Sequence, residues 1–207
     1  MRFSSCCGWK LLAGRATTGR LRIIGGQWRS RRLAFPDAPG LRPTADRVRE
    51  TLFNWLQADV PGAACLDLFA GSGACGLEAL SRGAASVVFV ERSRPVADAI
   101  RNNLQLLGAE RATVVNADAM AWMQQQTGRA DVPGFDLVFM DPPYESVMLP
   151  ESCRQLAQSG MLESGAKIYL EDRSELNEEQ LPPNWQVIKR SKAGAVHFYL
   201  CQMMSSP

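Results

Sequence analysis

The 207-residue chain has one histidine, three tyrosines and no Cys-x-x-Cys pair among its six cysteines. With a single imidazole at His197 and thiols scattered at Cys6, Cys7, Cys65, Cys75, Cys153 and Cys201, a cysteine/histidine zinc site lacks ligands, and no metal is expected. The same scatter argues against a disulfide framework and fits a reducing cytoplasm. No apolar run reaches the ~18 residues of a membrane-spanning helix. No Gly-Lys-Ser/Thr triplet is present to build a Walker phosphate loop. What remains is an ordinary globular composition. Hydrophobic residues make up 46%, enough to bury a core and too many for a disordered or collagen-like chain.

Acid is scarce in the first 50 residues, where 11 Lys and Arg (ten of them Arg) face 3 Asp and Glu, a local charge of +8. The remaining residues carry −6, so the overall +2 hides a basic head on an acidic body. Arg22, Arg29, Arg31, Arg32, Arg42, Arg47 and Arg49 supply most of the positive charge. The guanidinium fork pairs with phosphate oxygens, so these arginines are the candidate nucleic-acid contacts. Residues 1–19 contain Arg and Ser without acid, and read as a disordered tail in preference to a transit peptide.

Leu21–Ile24 and Leu33–Phe35 read as two short strands of a hairpin around Gly25-Gly26 and the run Arg29, Arg31, Arg32. After a Pro-rich break, Thr44 can cap a helix to about Gln57 with Val48, Leu52, Trp55 and Leu56 on one face. Basic residues at its start oppose the helix dipole, which suggests that a ligand placed them there. From Ala63, candidate strands at Cys65–Phe69, Ser86–Val90, Ala112–Val115, Leu137–Met140 and Lys167–Leu170 alternate with helical stretches near 74–82, 94–107, 118–127 and 149–159. Such alternation predicts an α/β domain with a parallel sheet covered on both faces. Trp185–Arg190 and Val196–Cys201 are too closely linked for a parallel crossover, so they pair antiparallel. Residues 1–19, 20–58 and 59–207 are the expected tail, basic head and α/β body.

The run Leu66-Asp67-Leu68-Phe69-Ala70-Gly71-Ser72-Gly73-Ala74-Cys75-Gly76 ends a strand and opens a helix. Gly71 and Gly73 allow a sharp turn close to a ligand, and Gly76 allows close helix–sheet packing. Glu91, twenty residues past Gly71, closes the next strand where its carboxylate can accept from two ribose hydroxyls. The negative charge of Asp67 would sit poorly beside a dinucleotide pyrophosphate. It suits the ammonium and sulfonium of S-adenosylmethionine (SAM), so electrostatics favours SAM over NAD. Asp141-Pro142-Pro143-Tyr144 follows an apolar strand directly. The prolines fix the backbone and remove two N–H donors. The Asp141 carboxylate and Pro142 carbonyl then form an acceptor pair for an exocyclic amino group, and Tyr144 offers a face on which a base stacks.

These stretches, with Asn116-Ala117-Asp118-Ala119, resemble the successive motifs of class I, Rossmann-like SAM-dependent amino-methyltransferases. The blocks Leu21–Arg29 and Leu41–Leu56 are similar to the bacterial RsmD family of 16S rRNA guanine(966)-N2 methyltransferases, a resemblance that spans about residues 20–203. It implies a seven-stranded, mostly parallel sheet with an antiparallel last strand, extended by a small N-terminal hairpin and helix. It further implies that Asp67, Phe69, Gly71 and Gly73 hold the methionine part of SAM and that Glu91 binds the ribose. Asp118 and the Ala119 N–H would read the adenine, and Asp141 through Tyr144 would hold the guanine. The expected partner is 16S rRNA in the small ribosomal subunit or an assembly intermediate, met by a cytoplasmic monomer without a membrane. DNA adenine-N6 methylation and a non-catalytic RNA-binding assembly factor are the alternatives. His197 reads as a core or edge-strand residue.

Overall fold

A computed structural model describes residues 18–36, 44–129, 134–143 and 148–204. Residues 1–17 of the expected tail, Arg42 and Tyr144 lie outside the described residues. The hairpin is present as β1 (Thr18–Arg22) and β2 (Arg32–Pro36), paired antiparallel from Thr18↔Pro36 to Arg22↔Arg32. β1 therefore begins inside the stretch expected to be tail. Leu21, Leu33 and Phe35 point inward and are buried, while Arg20, Arg22 and Arg32 stand on the exposed face.

The helix α1 (Asp46–Trp55) leads into β3 (Ala64–Asp67), α2 (Ala74–Ser81), β4 (Ser86–Glu91), α3 (Arg94–Leu107) and β5 (Ala112–Asn116). There follow α4 (Ala119–Gln126), β6 (Phe135–Met140), α5 (Met148–Gln158), β7 (Leu162–Asp172), β8 (Trp185–Ala193) and β9 (Val196–Met203). Strands β3 to β9 form one sheet in the order β5-β4-β3-β6-β7-β9-β8, in which β9 alone runs antiparallel to its neighbours. This is the expected seven-stranded α/β architecture.

Alternation along each central strand sends side chains to two cores. Cys65, Val87, Leu137, Phe139 and Tyr169 pack with α1, α2, α3 and the hairpin, whereas Leu66, Val90, Val138, Met140, Ile168 and Leu170 pack with α4 and α5. The hairpin thus shares its core with the body. Phe53 of α1 meets Phe139 with ring centroids 5.8 Å apart, and Trp55 meets Phe198 of β9 at 5.4 Å. The C-terminal part of α1 is thus packed on the sheet.

Two expectations for α1 are corrected. Ala45 occupies the position before the first turn and no side chain caps it; Thr44 contributes its carbonyl, which accepts from Arg49 Nε at 3.1 Å. Arg49 is not a surface cation awaiting phosphate. It is 0% exposed, and its guanidinium donates to Asp46 Oδ1 (2.6 Å), the Arg22 carbonyl (3.0 Å) and Glu78 Oε2 (3.5 Å). Its sequence position near the helix start concealed a carboxylate 29 residues away that neutralises it.

Glu78, also fully buried, lies in α2, whose residues are all buried. Besides Arg49 it accepts from Arg82 Nε (2.7 Å) and from the backbone N–H groups of Ile24 (2.8 Å) and Gly25 (2.7 Å). A buried charge is tolerated only when paired and hydrogen-bonded, and removing one partner strands the other. Arg49→Ala is therefore expected to lower unfolding free energy by about 3–5 kcal/mol in urea titration. Arg31→Ala, at an exposed position, should stay within about 0.5 kcal/mol of the parent. Equal effects of the two substitutions would remove Arg49 from its structural role.

Candidate active site

The chain passes from β3 outward to β4 and β5, then returns to β6 on the other side of β3. In open α/β sheets the crevice at such a reversal, at the carboxyl ends of the strands, is where ligands bind. The glycine loop follows β3 and Asp141-Pro142-Pro143 follows β6, so the fold brings both motifs to this crevice. Their strands are paired up to Asp67↔Phe139, and Leu68 N–H donates to the Phe139 carbonyl at 3.0 Å.

Gly73 takes φ +76° immediately before α2 and Gly71 takes φ +51°, a left-handed region that L side chains rarely enter. Gly76 serves packing: a Cβ there would lie 2.3 Å from the Phe89 ring, so only a bare backbone lets α2 sit on β4. Glu91 Oε2 accepts from Gly71 N–H (2.9 Å) and Oε1 from Ser93 N–H (2.6 Å). Each oxygen retains acceptor capacity for one of two vicinal hydroxyls. Asn116, at the end of β5, holds this turn by donating from Nδ2 to the carbonyls of Glu91 (2.8 Å) and Arg92 (2.9 Å). No role for Asn116 was assigned from sequence; its place at a strand end beside Asp118 was the available signal.

Asp118 caps α4, accepting from Ala121 N–H at 3.1 Å, and is exposed. Ala119 is buried at the first turn of α4. Phe69 is half-buried against the α4–α5 core. The three expected cofactor segments therefore converge on one end of the sheet. A cleft of about 960 Å³ between α5 and Glu179–Asn184 is lined by none of them.

Asp67 is 5% exposed and accepts from Gly76 N–H at 2.8 Å. Burial pushes its carboxyl up to about 7; the Gly76 bond opposes this and the Glu91 charge adds to it. Asp141 is half-buried beyond β6, followed by buried Pro142 and exposed Pro143. Its carboxyl lies well above the usual carboxylate range, through burial first and then the charges of Glu171, Asp67 and Asp172. Acidic groups are thus concentrated at the crevice, where they hold their protons until a cation beside them favours the ionised form.

The exposed arginines lie elsewhere. Gln27 N–H donates to the Ser81 carbonyl (2.8 Å) and Trp28 N–H to Ser81 Oγ (3.0 Å), which docks the hairpin loop on the last residue of α2. Gly73, by contrast, precedes the first. The eight residues of α2 rise about 12 Å, so the docked residues Gln27 and Trp28 sit a helix length from the glycine loop. Arg29, Arg31, Arg32 and Arg47 are exposed. Arg22 is exposed too, but Asp46 Oδ2 takes its Nε (3.2 Å) and Nη2 (2.9 Å). Arg20, absent from the sequence-based set, shares the outward face with Arg32; the period-two pattern of β1 was the signal. His197 lies in β9, in register with Asp172 and Lys192, as an ordinary strand residue.

A glycine loop after the first strand of the sheet, an acid after the next and an Asp-Pro-Pro turn after the fourth, on a seven-stranded sheet closed by an antiparallel strand, define a class I SAM-dependent methyltransferase. The family model described as Conserved hypothetical protein 95 matches residues 21–202. Ribosomal RNA small subunit methyltransferase D of Escherichia coli K12 is 47% identical over 185 residues, covering 89% of this chain and 91% of that protein. Its namesake in Haemophilus influenzae is 40% identical over 186 residues, covering 89% and 94%. The solved putative methyltransferase yhhF from Escherichia coli superposes with a TM-score of 0.80 at 45% identity, covering 91% of this chain and 100% of that one. The chain belongs to the RsmD family.

The raised Asp67 carboxyl carries a testable sign. A carboxyl that titrates higher in the folded than in the unfolded protein destabilises the fold as pH rises from about 4 to about 7. Three units correspond to at most about 4 kcal/mol. Asp67→Asn should flatten the fall in ligand-free stability over this window, leaving the slope due to Asp141. Denaturant unfolding at pH 5 and pH 8 measures it, and an undiminished slope would sink the assignment.

Proposed function

We propose that the chain transfers the methyl group of SAM to the exocyclic N2 of a guanine in 16S rRNA, as the name of its Escherichia coli relative suggests for rRNA. The observation that carries this reading is the meeting of the glycine loop and the Asp141-Pro142-Pro143 turn at one strand-end crevice. SAM, when bound, supplies an electrophilic methyl group on a sulfonium centre.

The residues present fit that cofactor. The buried Asp67 carboxyl ionises against the cofactor's ammonium and neutralises it. Glu91 presents one oxygen to each ribose hydroxyl, and Asp118 with the Ala119 N–H serves the adenine. Gly71, Gly73 and Phe69 wall the methionine side. On the acceptor side the Asp141 carboxylate and Pro142 carbonyl hold the two amino hydrogens of guanine, with Pro143 and Tyr144 fixing the base. Two acceptors turn the nitrogen lone pair out of conjugation with the ring and toward the methyl. After transfer, Asp141 takes the proton that N2 must lose.

The acidic crevice repels phosphate, so attraction of RNA falls to the exposed arginines Arg20, Arg29, Arg31, Arg32 and Arg47, with Arg22 partly neutralised and Arg49 withdrawn. The residue span 20–58 acts as the RNA-contacting head on the methyltransferase body. The enzyme works in the cytoplasm as a monomer on the small subunit or an assembly intermediate.

Asp141→Ala should lower kcat by at least about 100-fold while calorimetry shows SAM affinity within about twofold of the parent; Asp141→Asn should retain more turnover. Nucleoside analysis of treated 16S rRNA should yield N2-methylguanosine, and N6-methyladenine formed in DNA instead would overturn the reading. Replacing Arg31 and Arg32 together by Ala should weaken RNA binding and reduce the salt slope by up to about two units, with SAM affinity unchanged. Identical slopes would return both arginines to a merely solvated surface.

A further inference from the structure

One buried carboxylate beside the crevice has no part in the reaction as described above. Glu171 is 4% exposed at the end of β7, the strand that pairs with β6 in parallel. The register runs Phe139↔Tyr169 and Met140↔Leu170, so Glu171 falls level with Asp141 on the neighbouring strand. Adjacent strands lie about 4.8 Å apart. Asp141, Tyr169 and Glu171 continue the face that carries Phe139, on the α1–α2 side of the sheet. Tyr169, 1% exposed, donates from its hydroxyl to Glu171 Oε2 at 2.7 Å. A hydroxyl aimed at a carboxylate favours its ionised form and fixes its place.

We propose that Glu171, held by Tyr169, is a positioning residue for methyl transfer: its fixed charge beside Asp141 makes Asp141 the group that receives the guanine proton. The inference rests on the reading of Asp141 as the acceptor. In the step concerned, an N–H bond of the methylated amino group breaks with its electron pair left on N2. The proton forms an O–H bond on the Asp141 carboxyl, and the positive charge gained by N2 with the methyl leaves in that form.

The other charged and titratable groups around Asp141 do not duplicate this role. Asp67 from β3 and Asp172 from β7 add negative charge, with the Asp67 carboxylate committed to Gly76 N–H. Cys75 of α2 stays a neutral thiol, since burial foremost drives its proton affinity up. Arg49 of α1 is engaged by Asp46 and Glu78. On β9, Phe198 stands opposite Glu171 and His197 opposite Asp172. Proximity of Glu171 is the second-largest influence on Asp141 after burial itself.

The test is a carboxyl-carbon NMR titration of the ligand-free full chain labelled at aspartate, with the Asp141 signal assigned by its loss in Asp141→Asn. In Glu171→Gln the Asp141 midpoint should fall by about one pH unit or more, as expected when a like charge is removed from a neighbouring site. Tyr169→Phe, which keeps the ring in the core, should move it the same way by less, because the proton is then shared with Glu171. With 16S rRNA and SAM, the acid limb of kcat should move to lower pH in the same order, with KM for SAM unchanged. A wild-type chain that methylates guanine while the Asp141 titration stays put in both variants would overturn the role of Glu171 alone. A wild-type chain that forms no N2-methylguanosine overturns the functional reading and this role with it.

Discussion

The buried carboxylate of Glu78 is the constraint on which the rest of the molecule depends. It sits in a helix with no exposed residue, a setting in which a lone charge would cost several kcal/mol. Four donors from three parts of the chain answer it: Ile24 and Gly25 of the hairpin loop, Arg49 of α1 and Arg82 just past α2. The same helix carries the glycine loop at its start. Glu78, with Ser81 of the same helix accepting from Gln27 and Trp28, thus ties the basic head to the helix that opens the crevice, and the requirement that every buried donor and acceptor be matched makes this arrangement hard to vary. A hairpin attached only by apolar contacts could slide; one whose backbone N–H groups end on a buried carboxylate cannot.

Much of the fold was legible in the sequence because its signals are local. Strand–helix alternation, the Gly71 and Gly73 turn and the short Lys192–Gly194 connection each report on a few neighbouring residues, and α3 fell at Arg94–Leu107 as expected. The misses came from partners distant in sequence. Arg47 and Arg49 look alike in a list of basic residues near a helix start, yet one is exposed and the other meets Glu78 across 29 positions. The β7 strand begins at Leu162, which pairs with Phe135, and Glu163, Ser164 and Gly165, residues with no strand preference, fall in the register shift before Lys167 meets Leu137. Thr44 has the right side chain for a cap, but the chain uses its carbonyl to hold Arg49.

The candidate site divides along the same line. Asp67, Gly71, Gly73, Glu91, Asp118 and Asp141 were identifiable because each stands at the end of a strand that the sequence announces. Asn116 and the Tyr169–Glu171 pair were not, since their significance lies in register. Only when β7 is laid beside β6 does Glu171 become a neighbour of Asp141, and only when β5 is laid beside β4 does Asn116 reach the Glu91 carbonyl. Reading residue types at strand ends finds candidate ligand-facing groups; the groups that neighbour them only in register need the sheet.

The separation of charge between body and head follows from the two molecules the reading brings together. A sulfonium cofactor is best held in a low-dielectric crevice lined by carboxylates, because there each charge acts at close to full strength. That crevice repels a polyanion as strongly as it attracts the cofactor, so cationic groups placed inside it would cancel the charge that the chemistry needs. Placing most of the exposed arginines on the hairpin, whose loop docks at the opposite end of α2 from the glycine loop, takes them out of the crevice while leaving RNA free to reach both. Phosphates can then be drawn to the hairpin while one base reaches the strand ends, and neither field undoes the other. The buried Glu78 hub contributes by tying the hairpin loop to α2, the helix that the glycine loop opens.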